Sequence, residues 1–220
     1  MLFRSPLYVA NEWIFIAVVN PLVSESFLYQ LKKNNLPNCL VTKYNGQWVA
    51  TSTQEYIDKA NAVSRALIRL NLQKNDKIAI ISSTNRTEWN IMDVGVLQVG
   101  AQTVPIYPTI ASEDYAYILN HSESKYCFVS DAVVYQKLMA VRSELPLLEE
   151  VYSFDNIEGC KSWLELLELG QDQSNQDEVE NRKNEIQDEL LEYGNKLTTS
   201  KKEFTKLYDT YELKKTEQLE

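Results

Sequence analysis

Few residues of this chain could do chemistry, and they are scattered. Glu55, Arg86, Glu88 and Tyr107 can be read together as a polar site: two carboxylates, a guanidinium and a phenol near the ends of apolar runs, where open α/β sheets bind ligands. A structural reading of each is favoured. Glu55 falls on a solvated helix face, Arg86 and Glu88 order a strand-to-helix turn, and Tyr107 packs at a seam. His121 is the sole histidine. It falls at a helix C-terminal end, where a cation complements the dipole, and has no second histidine, cysteine pair or carboxylate cluster nearby to make it catalytic. Cys39, Cys127 and Cys160 are far apart and form no C-x-x-C pair, so neither a zinc site nor a thioredoxin-type site is indicated. Gly95 and Gly100 are not a phosphate loop, because no lysine follows Gly100 in the required pattern. Helix-to-sheet packing for Gly95 and a helix C-cap for Gly100 are the expectations.

The elements that position these residues alternate strand and helix. Lys77–Ile81, Thr103–Ile106 and Lys125–Val129 are short apolar runs rich in β-branched and aromatic residues, with helical patterns between them. That alternation predicts a mostly parallel sheet covered by helices on both faces, a partial three-layer α/β domain. Pro105 lacks an N–H, so its strand ends there or lies at an edge. Upstream, Leu40–Tyr44 and Gln47–Ala50 flank Asn45-Gly46, the signature of a type I′ hairpin. Thr51-Ser52-Thr53 supplies N-caps for a helix from about residue 54 to 70. Helices are predicted over 89–99 and from Ser112, over 131–145, and over 162–169 with Gly170 as terminator. A fourth strand is predicted at 150–154. Earlier, Phe27, Leu28 and Leu31 fall at helical spacing.

The 220 residues suffice for one domain with an appendage. A formal charge of −9 repels nucleic acid, which is not expected as a partner. The odd cysteine count fits a reducing compartment and hence a cytoplasmic location. Trp13–Val19 is apolar but too short to span a membrane and lacks the flanks of an export signal, so no transmembrane segment is expected.

From Gln171 the composition turns polar and charged. Ile186, Leu190, Tyr193, Leu197, Ser200, Phe204, Leu207 and Tyr211 then follow steps of four and three, the heptad spacing of a coiled-coil seam. Two readings stand side by side: a helix that associates with itself or another helix through these residues, and a solvated helix with some apolar residues folded back on the domain.

The central residues resemble the adenylate-forming, AMP-binding acyl-CoA synthetases, in particular the long-chain fatty acid–CoA ligases. Leu97-Gln98-Val99-Gly100-Ala101-Gln102-Thr103-Val104-Pro105-Ile106-Tyr107 is similar to that superfamily's second core motif. Thr51–Tyr56 resembles the first core motif more loosely. Asn85-Arg86-Thr87-Glu88-Trp89 looks like the long-chain branch's N-R-x-E-W, and Pro105–Thr109 and Tyr117–Asn120 fit the same branch. The resemblance covers about Ser24 to Glu180 and divides the chain into an unmatched 1–23, a subdomain over 24–180 and a charged helical tail over 181–220.

That resemblance implies ATP- and Mg²⁺-dependent activation of a fatty acid to an acyl-adenylate, then transfer to coenzyme A. The family's Thr/Ser/Gly-rich phosphate loop should follow Glu180, where this chain runs Asn181-Arg182-Lys183-Asn184-Glu185-Ile186. The family's later ribose-contacting acidic motif and C-terminal lysine are missing too. The expectation is therefore an N-terminal portion inactive alone, with no catalytic, cofactor-binding or metal residue carried over. The other reading is a non-catalytic interaction module joined through the tail helix.

Overall fold

The structure, a computed structural model, describes residues 33–217, with side chains to residue 208. The expectations for 13–19 and 27–31 lie outside the described residues. Two compact units divide the chain, Val23–Lys183 and a second that includes Asn184 onward.

The first unit opens with the hairpin β1 (Leu40–Tyr44) and β2 (Gln47–Thr51), paired antiparallel. Asn45 and Gly46 both take positive φ, 49° and 83°, as a type I′ turn requires. Helix α1 (Thr53–Arg69) follows, and Ser52 caps it by accepting the Glu55 N–H. Then come β3 (Lys77–Ile81), α2 (Thr87–Gln98), β4 (Gln102–Ile106), α3 (Ser112–Ser122), β5 (Ser124–Val129), α4 (Ala132–Met139), β6 (Glu150–Ser153), the two-residue β7 (Lys161–Ser162) and α5 (Trp163–Leu169).

The five strands β3 to β7 form one sheet, order β4-β3-β5-β6-β7, with every pairing parallel. Alternate residues of β3, β5 and β6 enter opposite cores. Ile78, Ile80, Tyr126, Phe128 and Tyr152 face α1, α2 and α5, while Ala79, Ile81, Cys127, Val129 and Val151 face α3 and α4. Three layers result, as expected from strands apolar on both faces. Pro105 lies on the edge strand β4, where a missing N–H is tolerated.

Several expectations are corrected. Gly95 packs helix on helix rather than helix on sheet: a Cβ there would come within 2.5 Å of Val63 Cγ1 on α1. The helix predicted over 131–145 stops at Met139, and a 3₁₀ turn follows at Arg142–Glu144. There the Arg142 guanidinium donates to the Leu145 and Leu148 carbonyls, tying the turn to the segment that leads into β6. Strand β7 is an addition, too short to show periodicity. Gly100 does end α2, with φ of 74°.

Helix α6 runs Gln176–Glu217. Its first turns belong to the α/β unit: Val179 is fully buried, and Arg182 donates to the carbonyls of Leu72 and Val99. Beyond Asn184 the same helix carries the four-and-three apolar stripe, and Tyr193, Leu197, Phe204 and Leu207 are exposed.

Candidate functional site

Parallel strands deliver their carboxyl ends, and the loops that follow, to one edge of the sheet. β3 connects through α2 to β4 on one side, whereas β5 connects through α4 to β6 on the other. The connections diverge between β3 and β5, and a ligand crevice is expected outside their carboxyl ends. Here that position is filled by side chains. The Ser83 N–H donates to Ser130 Oγ at 2.9 Å, and the Ser83 and Ser130 hydroxyls both donate to Asp131 Oδ2 at 2.6 Å. Asp131 also caps α4, its Oδ1 accepting the N–H groups of Val133 and Val134. Burial raises this carboxyl, but the four hydrogen bonds outweigh burial and hold it below its ordinary value.

Arg86 lies beside this lock, at the N-cap position of α2. Its Nε and Nη2 grip Glu88 Oε2 and Oε1 at 3.0 and 2.8 Å, a bidentate pair. Nη1 donates to Ser130 O at 2.9 Å and to Asp155 Oδ1 at 3.1 Å, so four of its five N–H groups are committed. The guanidinium also sits 5.2 Å from the Phe154 ring centroid. The side chains of Arg86 and Glu88 are only 7% and 10% exposed.

The hairpin completes the cluster. The Tyr44 hydroxyl donates to Glu88 Oε2 at 2.6 Å. Its phenol is pushed up to about 12, by burial first and then by the carboxylate. Burial alone would raise Glu88, yet Arg86 and Tyr44 together hold it below its usual value. Burial also opposes the charge on Arg86, and its two carboxylates more than restore it. Both charges are therefore fixed, and neither group offers the proton affinity near neutrality that a general acid or base needs.

On the β4 side of Arg86 an open cleft of about 600 Å³ is lined by Ile80, Ser82, Asn85, Trp89, Pro105 and Tyr107, among others. The loop after β4 that carries Tyr107 is held from below. Tyr115 Oη and Lys137 Nζ donate to Pro108 O at 2.8 and 3.0 Å, and Lys137 also reaches Ile110 O. Burial pushes the Tyr115 phenol up to about 12. The cleft is walled by aromatic, amide and hydroxyl groups together with Arg86, whose charge is already paired with Glu88 and Asp155, which suits binding of a neutral or apolar surface more than bond making.

The sequence expectations separate accordingly. Arg86 and Glu88 come together and do order the β3-to-α2 turn. Glu55 stays apart on the solvated face of α1, paired with Lys59 at 2.7 Å. Tyr107 does not pack at a seam among the described residues; it is 79% exposed and lines the cleft. His121 ends α3 and stacks on Tyr117 at 5.7 Å. Sequence reasoning missed Thr42, Tyr44, Ser130, Asp131 and Asp155. Two signals pointed to them: Thr42 and Tyr44 alternate on one hairpin face, and Ser130-Asp131 follows a strand where a helix cap is needed. Cys127 is fully buried and its thiol is raised by burial, while Cys160 rises to about 11 for the same reason. All three cysteines are free. Among the described residues no cluster of His, Cys, Asp and Glu could hold a metal ion, and no helix is long and apolar enough to cross a membrane.

Comparison with known proteins agrees with this architecture. The family model described as AMP-binding enzyme matches residues 32–197. The long-chain-fatty-acid–CoA ligase FadD15 of Mycobacterium bovis is 34% identical over 107 residues, 49% of this chain and 18% of that protein. The long-chain-fatty-acid–CoA ligase ACSBG2 of Xenopus laevis is 28% identical over 138 residues, 60% of this chain and 18% of that protein. The chain thus spans about a fifth of the length of these curated relatives. In fold, it is similar to a Mycobacterium tuberculosis fatty acyl CoA synthetase, with a TM-score of 0.54 at 22% identity over 66% of this chain and 28% of that one. With a doubly covered parallel sheet, the Leu97–Tyr107 stretch spanning the end of α2 and strand β4, and a family match over most of its length, the chain belongs to the AMP-binding enzyme family.

Proposed function

We propose that this chain supplies the N-terminal α/β subdomain of a long-chain fatty acid–CoA ligase and does not turn over by itself. The observation that carries this reading is the course of the backbone after Glu180. Binding and transfer chemistry at a triphosphate calls for backbone N–H groups freed by glycines, and for a cation facing the developing charge. Residues 181–217 are instead helical, so their N–H groups are committed to carbonyls four residues back. Gly194, the one glycine after Glu180, lies inside that helix.

The strand-end loops do not make good the deficit. Four of the five N–H groups of Arg86 are taken by Glu88, Ser130 and Asp155, and two of the three on Lys137 Nζ by the Pro108 and Ile110 carbonyls. The residues present therefore do not fit ATP and Mg²⁺, and no catalytic step is assigned to them. Their role in this reading is architectural: the Arg86 cluster fixes hairpin, sheet and α2, and exposed Pro105 and Tyr107 present the open β4 edge to the remainder of a ligase.

Support comes from the relatives, which are long-chain ligases by name. The test is a chimera in which the residues after Glu180 are replaced by the corresponding continuation of FadD15. Fatty-acid-dependent pyrophosphate release from the chimera is expected. A folded chimera in which FadD15's own N-terminal segment restores release, and this chain's does not, would overturn the assignment.

A further inference from the structure

Beyond Asn184, helix α6 leaves an apolar stripe in solvent. Tyr193, Leu197, Phe204 and Leu207 are 57%, 50%, 67% and 70% exposed, and the sequence carries the same spacing from Ile186 to Tyr211. That stripe is about 38 Å long at the rise of an α-helix. It covers more than three heptads, enough for a coiled-coil seam, and an isolated helix gains little stability until such a face is buried.

We propose that this stripe pairs, antiparallel, with the same helix of a second copy of the chain. The two orientations differ sharply. With Leu190, Leu197 and Phe204 at a positions, and Ile186, Tyr193, Ser200 and Leu207 at d, Lys196 occupies g and Lys201 occupies e. A parallel pair would oppose each Lys196 to the other chain's Lys201 and face the two Ser200 hydroxyls across the seam. Both arrangements cost stability.

The antiparallel pair in which Leu197 faces the partner's Ser200 removes both faults. Leu190 then meets the partner's Leu207, and Phe204 meets the partner's Tyr193, an aromatic pair. On the flank, Lys196 meets the partner's Glu203, and the two-fold axis makes this contact twice. Sliding by one heptad in either direction would oppose Lys196 to Lys196 or Glu203 to Glu203, so the charges select one register as well as one direction. Lys196 bonds Glu192 of its own helix at 2.5 Å, but both side chains are about two-thirds exposed, so sharing the ammonium sacrifices little.

Sedimentation of the full chain with Lys196→Glu and Glu203→Lys variants tests this. The wild-type chain is expected to dimerise. Each single variant should weaken the dimer about tenfold, and an equimolar mixture of the two should recover it, because each mixed contact regains an opposite charge. Circular dichroism confirms that the variants stay helical. A dimer strengthened by Lys196→Glu would show parallel pairing and overturn the proposal. So would a wild-type chain that stays monomeric throughout the micromolar range, as when another segment such as Trp13–Val19 covers the stripe. The outcome is independent of whether the α/β unit serves a ligase.

Discussion

Thr42 Oγ1 accepts the backbone N–H of Thr87 at 2.9 Å, across 45 residues of sequence. Arg86 occupies the N-cap of α2 and provides no side-chain acceptor, so a residue of the hairpin caps the helix instead. Thr42 Oγ1 also lies 2.8 Å from Thr87 Oγ1, and both threonines are buried. The hairpin is thereby fastened to the carboxyl edge of the sheet by a helix cap and, through Tyr44, by the carboxylate of Glu88. Thr42→Val keeps the shape but strands a buried donor. Its expected cost is about 1 to 2 kcal/mol, read as a lower urea midpoint with an unchanged slope.

Arg86 and Glu88 form a buried pair, and removing one partner leaves an uncompensated charge. Arg86→Met should destabilise the fold by about 3 to 5 kcal/mol. Arg86→Met with Glu88→Leu should recover a large part of that loss, although Tyr44 then loses its acceptor. A double-mutant cycle by denaturant unfolding measures the coupling.

Acid should unlock the same region. Glu88 and Asp131 both have folded-state values below their ordinary ones. Their stabilisation is therefore present above the unfolded carboxylate range and is lost as pH falls through the depressed folded values. Glu88→Gln should lower stability at pH 7 and flatten its decline between about pH 5 and pH 2, measured as unfolding free energy against pH.

Two glycines are held by close approach rather than by backbone conformation. Gly95→Ala would press a methyl against Val63 on the facing helix, costing about 1 to 3 kcal/mol. Val63→Ala in the same chain removes the Cγ1 contact but leaves the residue-63 Cβ within 2.6 Å and the Ala60 carbonyl oxygen at 3.0 Å, so it should return only a small part of the loss. Gly170→Ala meets the backbone carbonyl of Ala62, which no side-chain change can clear, so no such rescue is expected there. Thermal unfolding of the four proteins separates the two cases.

The legible parts of this fold were those written in local pattern. Ile78–Ile81 is apolar at every pleat because both faces are covered, Asn45-Gly46 can adopt the positive φ of its turn, and Pro105 is accommodated on an edge strand. What stayed hidden depends on partners distant in sequence. Nothing near Gly95 names Val63 as its neighbour, and nothing near Thr87 reveals that Thr42 caps it. Val141 and Leu145 continue the apolar signal and extend the expected helix past Met139, whereas the chain tightens there into a 3₁₀ turn whose Arg142 guanidinium bonds the Leu145 and Leu148 carbonyls. At the candidate site the charged pair was visible as Arg86-x-Glu88. Its engagement by Tyr44, Ser130 and Asp155 was not, and that engagement supports the reading as a structural joint.

In the proposed reading, the α/β unit belongs to a ligase whose nucleotide chemistry lies outside residues 181–217. Incubating the purified chain with ATP, Mg²⁺ and a long-chain fatty acid, and measuring pyrophosphate, tests it most directly. Release no greater than in a fatty-acid-free control is expected. Fatty-acid-dependent release that persists through purification of this chain would contradict it.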